Sequence, residues 1–190
     1  MQSYPHALDY TLALISGILL ALSFPRYGHP AVAWIALVPL LVALSGWRGG
    51  DERLPGQPPL RAFLMGLVTG AIYFVGTVYW TSTVVATYGN LPTVLSLVAM
   101  LLLALYLSLF PAVMALVTSR LITRGGAAGV FFAPAAWVAT EFFRGYLFGG
   151  FPWVPLGNSQ VTVLPVAQLA SVFGVYGLSA LVAFVNAAIA

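Results

Sequence analysis

Charged residues are scarce in this sequence. Its 190 residues include seven arginines, no lysine and four acids, so only 6% of the chain is charged. Soluble globular domains carry about a quarter charged residues, whereas here 61% of the residues are hydrophobic. The composition therefore excludes a soluble globular domain, and it excludes a disordered chain, which needs low hydrophobicity. The arginines are spread between apolar runs, so no nucleic-acid partner is expected.

Cysteine is absent and histidine is rare. Without cysteine, these residues contain no disulfide, no thiolate metal site and no cysteine nucleophile. The two histidines, His6 and His29, lie far apart, and no acid is spaced to join them at a metal ion. No glycine-rich phosphate loop or nucleotide fingerprint occurs. We therefore expect no metal site, no cofactor and no catalytic residue within this chain.

Long uncharged stretches organise the chain. Residues 62–119 and 145–190, for example, carry no charge at all. A helix needs about 20 apolar residues to cross the core of a bilayer, and the turn-forming residues 89–92 divide the first of these stretches. The pattern predicts an all-α, polytopic helical membrane protein in which residues 1–190 form one transmembrane bundle. Its six predicted spans are residues 8–24, 30–47, 62–85, 92–118, 127–143 and 162–188.

The arginines predict how the bundle is oriented. Five of the seven lie in the predicted loops 48–61 and 119–126, and the other two are Arg26 and Arg144. Because arginine-rich loops stay in the cytoplasm, we expect a cytoplasmic amino terminus and an extracytoplasmic loop 144–161. The first apolar segment has no basic residue before it, so an uncleaved span is favoured over a signal peptide.

Glu141 and Arg144 lie near the end of the predicted span 127–143, beside the loop 144–161. Residues three apart on a helix share a face, so these two can neutralise each other. One interpretation is an interfacial ion pair that anchors the end of the helix. The other is a functional site, because an acid inside a membrane is costly and is commonly kept for function.

The segment EFFRGYLFGGFPWVPLGNSQ, residues 141–160, combines aromatic rings with glycine and proline. One interpretation is an aromatic belt at the depth of the lipid headgroups. The other is a shaped surface that guides a lipid tail or supports an extracytoplasmic domain, since a belt needs neither glycine nor proline. The residues expected to face such a lipid or domain are Glu141, Arg144, Phe151, Pro152 and Trp153.

Small residues and prolines also lie inside the predicted spans. Gly66 and Gly70 form a small-xxx-small pair that lets another helix approach closely. We expect that pair to serve packing inside the bundle rather than dimerisation. Pro39 and Pro111 each remove a backbone donor, which predicts a kink in the second and fourth spans.

Four blocks of sequence together resemble a known family. They are LSFPRYGHPAVAWIALVPLL (22–41), FLMGLVTGAIYFVGTVYW (63–80), the segment 141–160 given above, and QLASVFGVYGLS (168–179). In this order they resemble the amino-terminal membrane half of apolipoprotein N-acyltransferase. The third block is the most specific. Val154 departs from the family pattern, in which asparagine is frequent at that position.

The resemblance implies a function and a location. The family acts at the outer face of the bacterial cytoplasmic (inner) membrane. It transfers an acyl chain from a phospholipid to the free amino group of the diacylglyceryl-cysteine that begins an apolipoprotein. The reaction passes through a thioester on a cysteine of a Glu–Lys–Cys triad, which belongs to a nitrilase-like domain. That domain is expected to be missing from this chain, so we expect residues 1–190 to be inactive alone.

A second interpretation comes from a different class of protein. The chain could be a non-enzymatic multispan protein, such as a small transporter or a scaffold. Transporters commonly show internal repeats and polar groups at the middle of the membrane. No repeat is evident here, and Gln168 and Asn186 are the only amides in the last predicted span.

Overall fold

A computed structural model describes residues 7–24, 28–46 and 56–190. These residues form helices joined by turns, and no strand occurs among them. Arg26, Arg48 and Arg53, on which the predicted orientation partly rests, lie outside the described residues. The α-helices are α1 (Ala7–Leu22), α2 (Val38–Ser45), α3 (Pro59–Val78), α4 (Trp80–Tyr88), α5 (Thr93–Gly125), α6 (Ala133–Arg144), α7 (Leu164–Ala167) and α8 (Ala170–Ile189).

Three helical stretches are long and apolar enough to cross a membrane. They are α3, the stretch Thr93–Arg144, and α8. Shorter apolar helices occupy Ala7–Leu22 and Pro30–Ser45. The predicted fold class, an all-α helical membrane protein, is confirmed. The count of six spans stays a prediction. The second, third and sixth predicted spans each contain a break between helical segments, and the fifth changes from a 3-10 helix to α6.

The surface of the bundle is apolar, and many of its polar side chains are buried. Large aliphatic side chains along α5, such as Leu102 and Leu105, are exposed, as expected for a helix that contacts lipid. Conversely, Ser16, Thr69 and Ser108 are completely buried. Their hydroxyls accept or donate hydrogen bonds within the bundle. This distribution is the reverse of that in a soluble protein and fits a bilayer as the solvent.

The centre of the bundle is α3, which packs against α1 on one side and α5 on the other. The approach to α5 is close because Gly66 and Gly70 lie at the contact. A Cβ atom built on Gly66 would lie 2.6 Å from the Ala115 Cβ, and one on Gly70 would lie 2.8 Å from the Ser108 Cα. The prediction that this pair serves packing inside the bundle is confirmed.

A partly buried ion pair joins several helices at one end of the bundle. Arg61 Nη2 in α3 lies 2.7 Å from Asp9 Oδ2 in α1, and Asp9 is completely buried. Gln57 Nε2 donates to the same Asp9 oxygen and to the Ala43 carbonyl of α2. The Gln57 backbone also exchanges two hydrogen bonds with the Ser119 hydroxyl of α5. The start of α1, the start of α3 and the later part of α5 therefore lie at the same end.

The second predicted span is broken between a 3-10 helix, Pro30–Trp34, and α2. Pro39 lies in the first turn of α2, so the predicted kink inside a helix is wrong at this position. Proline is tolerated there because the first turn has no partner for its N–H groups. Side chains of two other helices form hydrogen bonds with the backbone groups at the break. Asn186 Oδ1 of α8 accepts from Leu37 N at 2.8 Å, and Ser16 Oγ of α1 donates to the Ala36 carbonyl at 2.6 Å.

Candidate functional site

The loop that follows α6 has a defined conformation built from tight turns. Two short 3-10 turns, Leu147–Gly149 and Leu156–Gln160, frame it. Gly149 and Gly150 have positive φ angles of 88° and 77°, which glycine adopts without steric cost. A Cβ on Gly150 would overlap the Gly145 carbonyl oxygen. Gly149 and Gly150 are therefore needed for the conformation of these turns, whereas an aromatic belt alone would not need glycine.

Val154 has an unusual backbone conformation. Its φ angle is 51°, in the left-handed region that β-branched residues rarely adopt. The Tyr73 hydroxyl of α3 donates to the Val154 carbonyl at 2.7 Å and holds this strained peptide in place. Asparagine tolerates the left-handed region better than valine, which gives a physical reason for asparagine at this position.

Glu141 lies beneath the loop and holds it to α6. Its side chain is 6% exposed. Glu141 Oε1 accepts a hydrogen bond from Leu156 N at 2.6 Å and another from Trp137 Nε1 at 2.8 Å. One carboxyl oxygen thus joins the middle of the loop to the preceding turn of α6. Hydrogen bonds to a carboxylate are among the stronger ones in proteins, so we infer that Glu141 fixes the position of the loop.

Arg144 is buried on the same face of α6 and is only 2% exposed. Its guanidinium carbon lies 5.2 Å from the centre of the Phe74 ring, within range of a cation–π interaction. Its carbonyl oxygen accepts from Phe151 N at 2.8 Å. Within the described residues, no direct ion pair joins Arg144 to Glu141. The interpretation of an interfacial ion pair is therefore wrong, since both side chains are buried and they do not contact each other directly.

Further contacts tether the loop to other parts of the bundle. Gly157 N donates to Ser179 Oγ of α8 at 2.8 Å. Gln160 Oε1 accepts from Trp34 Nε1, and Gln160 Nε2 donates to the Pro30 carbonyl. The loop 144–161 therefore packs against the segment 30–34, at the opposite end of α1 and α3 from the Asp9–Arg61 pair.

The structure separates the five residues predicted to face a lipid or a domain into two groups. Glu141 and Arg144 point into the bundle and support the loop from below. Pro152 and Trp153 are exposed, and Trp153 is 53% exposed. Phe151 is half-buried, and its ring lies 5.1 Å from that of Trp153. The loop therefore presents a small aromatic surface, held in place by buried hydrogen bonds. Whether that surface faces lipid or protein stays a prediction.

Comparison with known proteins places the chain in a family. The family model described as "Apolipoprotein N-acyltransferase N-terminal domain" matches residues 16–188. The chain belongs to this family. The resemblance drawn from the four sequence blocks is confirmed, and the loop described above lies entirely inside the matched residues.

Several curated proteins named apolipoprotein N-acyltransferase are similar to the chain. The protein from Geobacter metallireducens is 43% identical over 178 residues, which cover 94% of this chain and 32% of that protein. The protein from Pasteurella multocida is 33% identical, and the alignment covers 95% of this chain and 32% of that protein. The protein from Shewanella oneidensis is 36% identical, and the alignment covers 97% of this chain and 34% of that protein. The chain thus spans about a third of the length of these N-acyltransferases.

The sequence did not indicate the contacts of two residues that hold the loop in place. Tyr73 and Gln160 were not predicted to contact the loop or the segment 30–34, because nothing in their sequence neighbourhoods marks a partner some 80 or more positions away. A buried polar side chain in an apolar helix is a weak signal for such a contact, since it must find a partner inside the bundle.

Metal-ligating and thiol side chains are scarce in this domain. Among the described residues, no group of three or more histidine, cysteine, aspartate or glutamate side chains could hold a metal ion. The full sequence has no cysteine.

Proposed function

We propose that this chain is the membrane half of an enzyme that N-acylates lipoproteins. The reaction moves an acyl chain from a phospholipid to the amino group of the diacylglyceryl-cysteine at the amino terminus of an apolipoprotein. The observation that carries the proposal is the match of residues 16–188 to the amino-terminal domain of the family. The similarity to the G. metallireducens protein across nearly the whole chain supports it.

We propose further that the chain lies in the bacterial cytoplasmic membrane with its amino terminus in the cytoplasm. The loop 144–161 then lies at the outer face, where a lipid donor and a lipoprotein acceptor meet. The exposed Pro152 and Trp153 are the parts of the loop that contact the acyl donor or the catalytic domain. The buried Glu141 and Arg144 act by keeping that surface in one conformation.

A chimera tests the enzymatic function. Residues 1–190 replace the aligned amino-terminal third of the G. metallireducens protein, and the transfer of a labelled acyl chain from phospholipid to a diacylglyceryl peptide is measured. We expect transfer by the chimera and none by residues 1–190 alone, because this chain has no cysteine to form the thioester. A chimera that inserts at a normal level without transferring would contradict the proposal, and so would transfer by the chain alone.

The role of the loop is tested in the same chimera. We expect Trp153→Ala to lower acyl transfer while the protein level in the membrane stays unchanged. Tyr88→Ala is the control, because Tyr88 is an aromatic residue at the end of α4, outside the loop, and is even more exposed than Trp153. Equal activity of the two variants would refute a contact between the loop and the donor or the catalytic domain.

The orientation is tested with single cysteines, which the absence of native cysteine makes straightforward. Gly125→Cys lies at the end of α5 with open space around its Cβ position, and Phe148→Cys replaces a side chain that is 91% exposed in the loop. An impermeant thiol reagent added to intact spheroplasts should label position 148 and not position 125. The opposite pattern would overturn the proposed orientation.

A further inference from the structure

The exposed part of the loop lies between two points at which its backbone is bound to α6. At the first point, Phe151 N donates to the Arg144 carbonyl at 2.8 Å. At the second, Leu156 N donates to Glu141 Oε1 at 2.6 Å. The chain therefore leaves α6 and returns to it over a short stretch. The side chain of Trp153, which is 53% exposed, belongs to this stretch.

Val154 is the residue of this stretch with the least favourable backbone conformation. Its φ angle of 51° is disfavoured by the β-branched side chain. It is disfavoured a second time because Pro155 follows, and a residue before proline is restricted to extended conformations. Without a restraint, Val154 would adopt the extended region. Because Leu156 is fixed on α6, that change would turn Trp153 away from its present position.

The restraint comes from Tyr73 of α3. Its hydroxyl donates to the Val154 carbonyl at 2.7 Å, the usual distance for a hydrogen bond between two oxygens. Tyr73 is only 1% exposed, and its ring lies 4.6 Å from that of Phe74 and 5.8 Å from that of Phe24. The donor is therefore held rigidly inside the bundle, whereas the acceptor belongs to the loop.

A strained residue of this kind persists because its surroundings hold it, and such residues cluster at ligand clamps and switch regions. Loss of one hydrogen bond changes an equilibrium constant by about two- to tenfold. We propose that Tyr73 is a positioning residue for Trp153. Its hydroxyl keeps the Val154 peptide in the left-handed conformation, and this conformation places the Trp153 ring on the outer surface of the loop. The use of this placement in acyl transfer rests on the proposed function.

A fluorine label tests the position of the ring. The chain is prepared with fluorotryptophan in lipid nanodiscs, and the Trp153 resonance is identified by its absence from Trp153→Phe. Tyr73→Phe removes the hydroxyl and keeps the ring. We expect this variant to shift or split the Trp153 resonance, while the resonance of the buried Trp137 stays in place. Tyr106→Phe is the matched control and should change neither resonance, because the Tyr106 hydroxyl lies 3.4 Å from the Leu147 carbonyl of the same loop, too far for a strong hydrogen bond.

Val154→Asn provides a second test, because asparagine tolerates the left-handed region. Tyr73→Phe should shift the Trp153 resonance much less in the Val154→Asn background than in the wild type. Equal shifts in the two backgrounds, or no shift in Tyr73→Phe alone, would overturn the proposal. If Tyr73→Phe does not insert, insertion of the double variant supports the proposal. Failure of both to insert overturns it, since the hydroxyl would then serve the bundle rather than the loop.

The chimera tests what the placement is for. Tyr73→Phe should lower acyl transfer by about two- to tenfold, in the same kinetic parameter, KM or kcat, as Trp153→Ala. Val154→Asn should restore the transfer. Unchanged transfer in Tyr73→Phe, together with reduced transfer in Trp153→Ala, would overturn the role of Tyr73 alone. If the chimera transfers no acyl chain at all, the proposed enzymatic function fails, and the fluorine spectra still decide whether Tyr73 positions Trp153.

Discussion

Replacing Gly66 by alanine should force α3 and α5 apart. The new Cβ would lie 2.5 Å from the Pro111 carbonyl oxygen, 2.6 Å from the Ala115 Cβ and 2.7 Å from the Ala112 Cα. Carbon atoms pack best about 3.5–4.0 Å apart, so the helices must separate locally by about 1 Å. None of the three neighbours is the end of a flexible side chain that could rotate away.

The net effect can be estimated from two opposing contributions. Overpacking costs about 1–3 kcal/mol, and the upper part of that range applies because the obstructing atoms are backbone atoms and a Cβ. Alanine has a helix propensity about 1 kcal/mol better than that of glycine, which offsets part of the loss. We expect Gly66→Ala to lower the free energy of unfolding by about 1–2 kcal/mol, a five- to thirtyfold change in the ratio of folded to unfolded protein.

The assay is reversible unfolding of the purified chain in mixed micelles with increasing SDS, followed by circular dichroism. The matched control is Gly125→Ala at the end of α5, where a Cβ meets no atom within 4 Å. We expect the control to be as stable as the wild type or slightly more stable. If Gly66→Ala and Gly125→Ala unfold at the same SDS fraction, the close packing of α3 against α5 does not limit stability and the reasoning is refuted.

Three other substitutions test the hydrogen bonds and strain described above. Val154→Asn should raise the free energy of unfolding by about 1 kcal/mol in the same SDS titration, because it relieves a left-handed φ of 51°; a loss of stability would refute the strain. Glu141→Leu should lower the free energy of unfolding by about 1–3 kcal/mol and speed hydrogen exchange at Leu156 N. Glu141→Gln keeps an acceptor and should change that exchange little. Equal exchange at Leu156 N in the two variants would contradict the role assigned to the carboxyl. Asn186→Leu should leave Leu37 N unpaired at a similar cost, and unchanged exchange there would show that another acceptor replaces the amide.

Sequence patterns predicted the helical class and the helices that depend on local properties. The absence of charge in residues 62–119 predicted two spans, 62–85 and 92–118, because an apolar helix satisfies its own backbone in lipid. The first covers most of α3 together with α4, whose separation at Tyr79 was not predicted, and the second covers most of α5. Gly66 and Gly70 were assigned correctly to internal packing, since the spacing of small residues is itself a local property of one helix.

The arrangement of polar side chains could not be predicted in the same way. The spacing of Glu141 and Arg144 suggested an ion pair, but Glu141 binds Leu156 N and Trp137, and Arg144 stacks on Phe74. The spacing on the helix permits an ion pair without requiring one. The partners that the two side chains bind instead depend on the positions of the loop and of α3, which follow from tertiary packing and not from the sequence around either residue.

Pro39 shows the same limit for the backbone. Proline in an apolar stretch predicted a kink, yet the helix begins at Val38, so proline is placed where its missing N–H group costs nothing. The stretch 30–47 is apolar throughout, and hydropathy alone does not locate the break at residues 35–37.

The break before α2 also has a consequence for the order in which the protein is made. The hydrogen bond from Leu37 N ends on Asn186, 149 residues later in the chain. At a synthesis rate of about 5–20 residues per second, the ribosome needs on the order of ten seconds to reach that partner. During this interval the Leu37 N–H group has to be satisfied by water or by another temporary acceptor. The hydrogen bonding of the second apolar segment therefore stays incomplete until Asn186 of α8 has been synthesised.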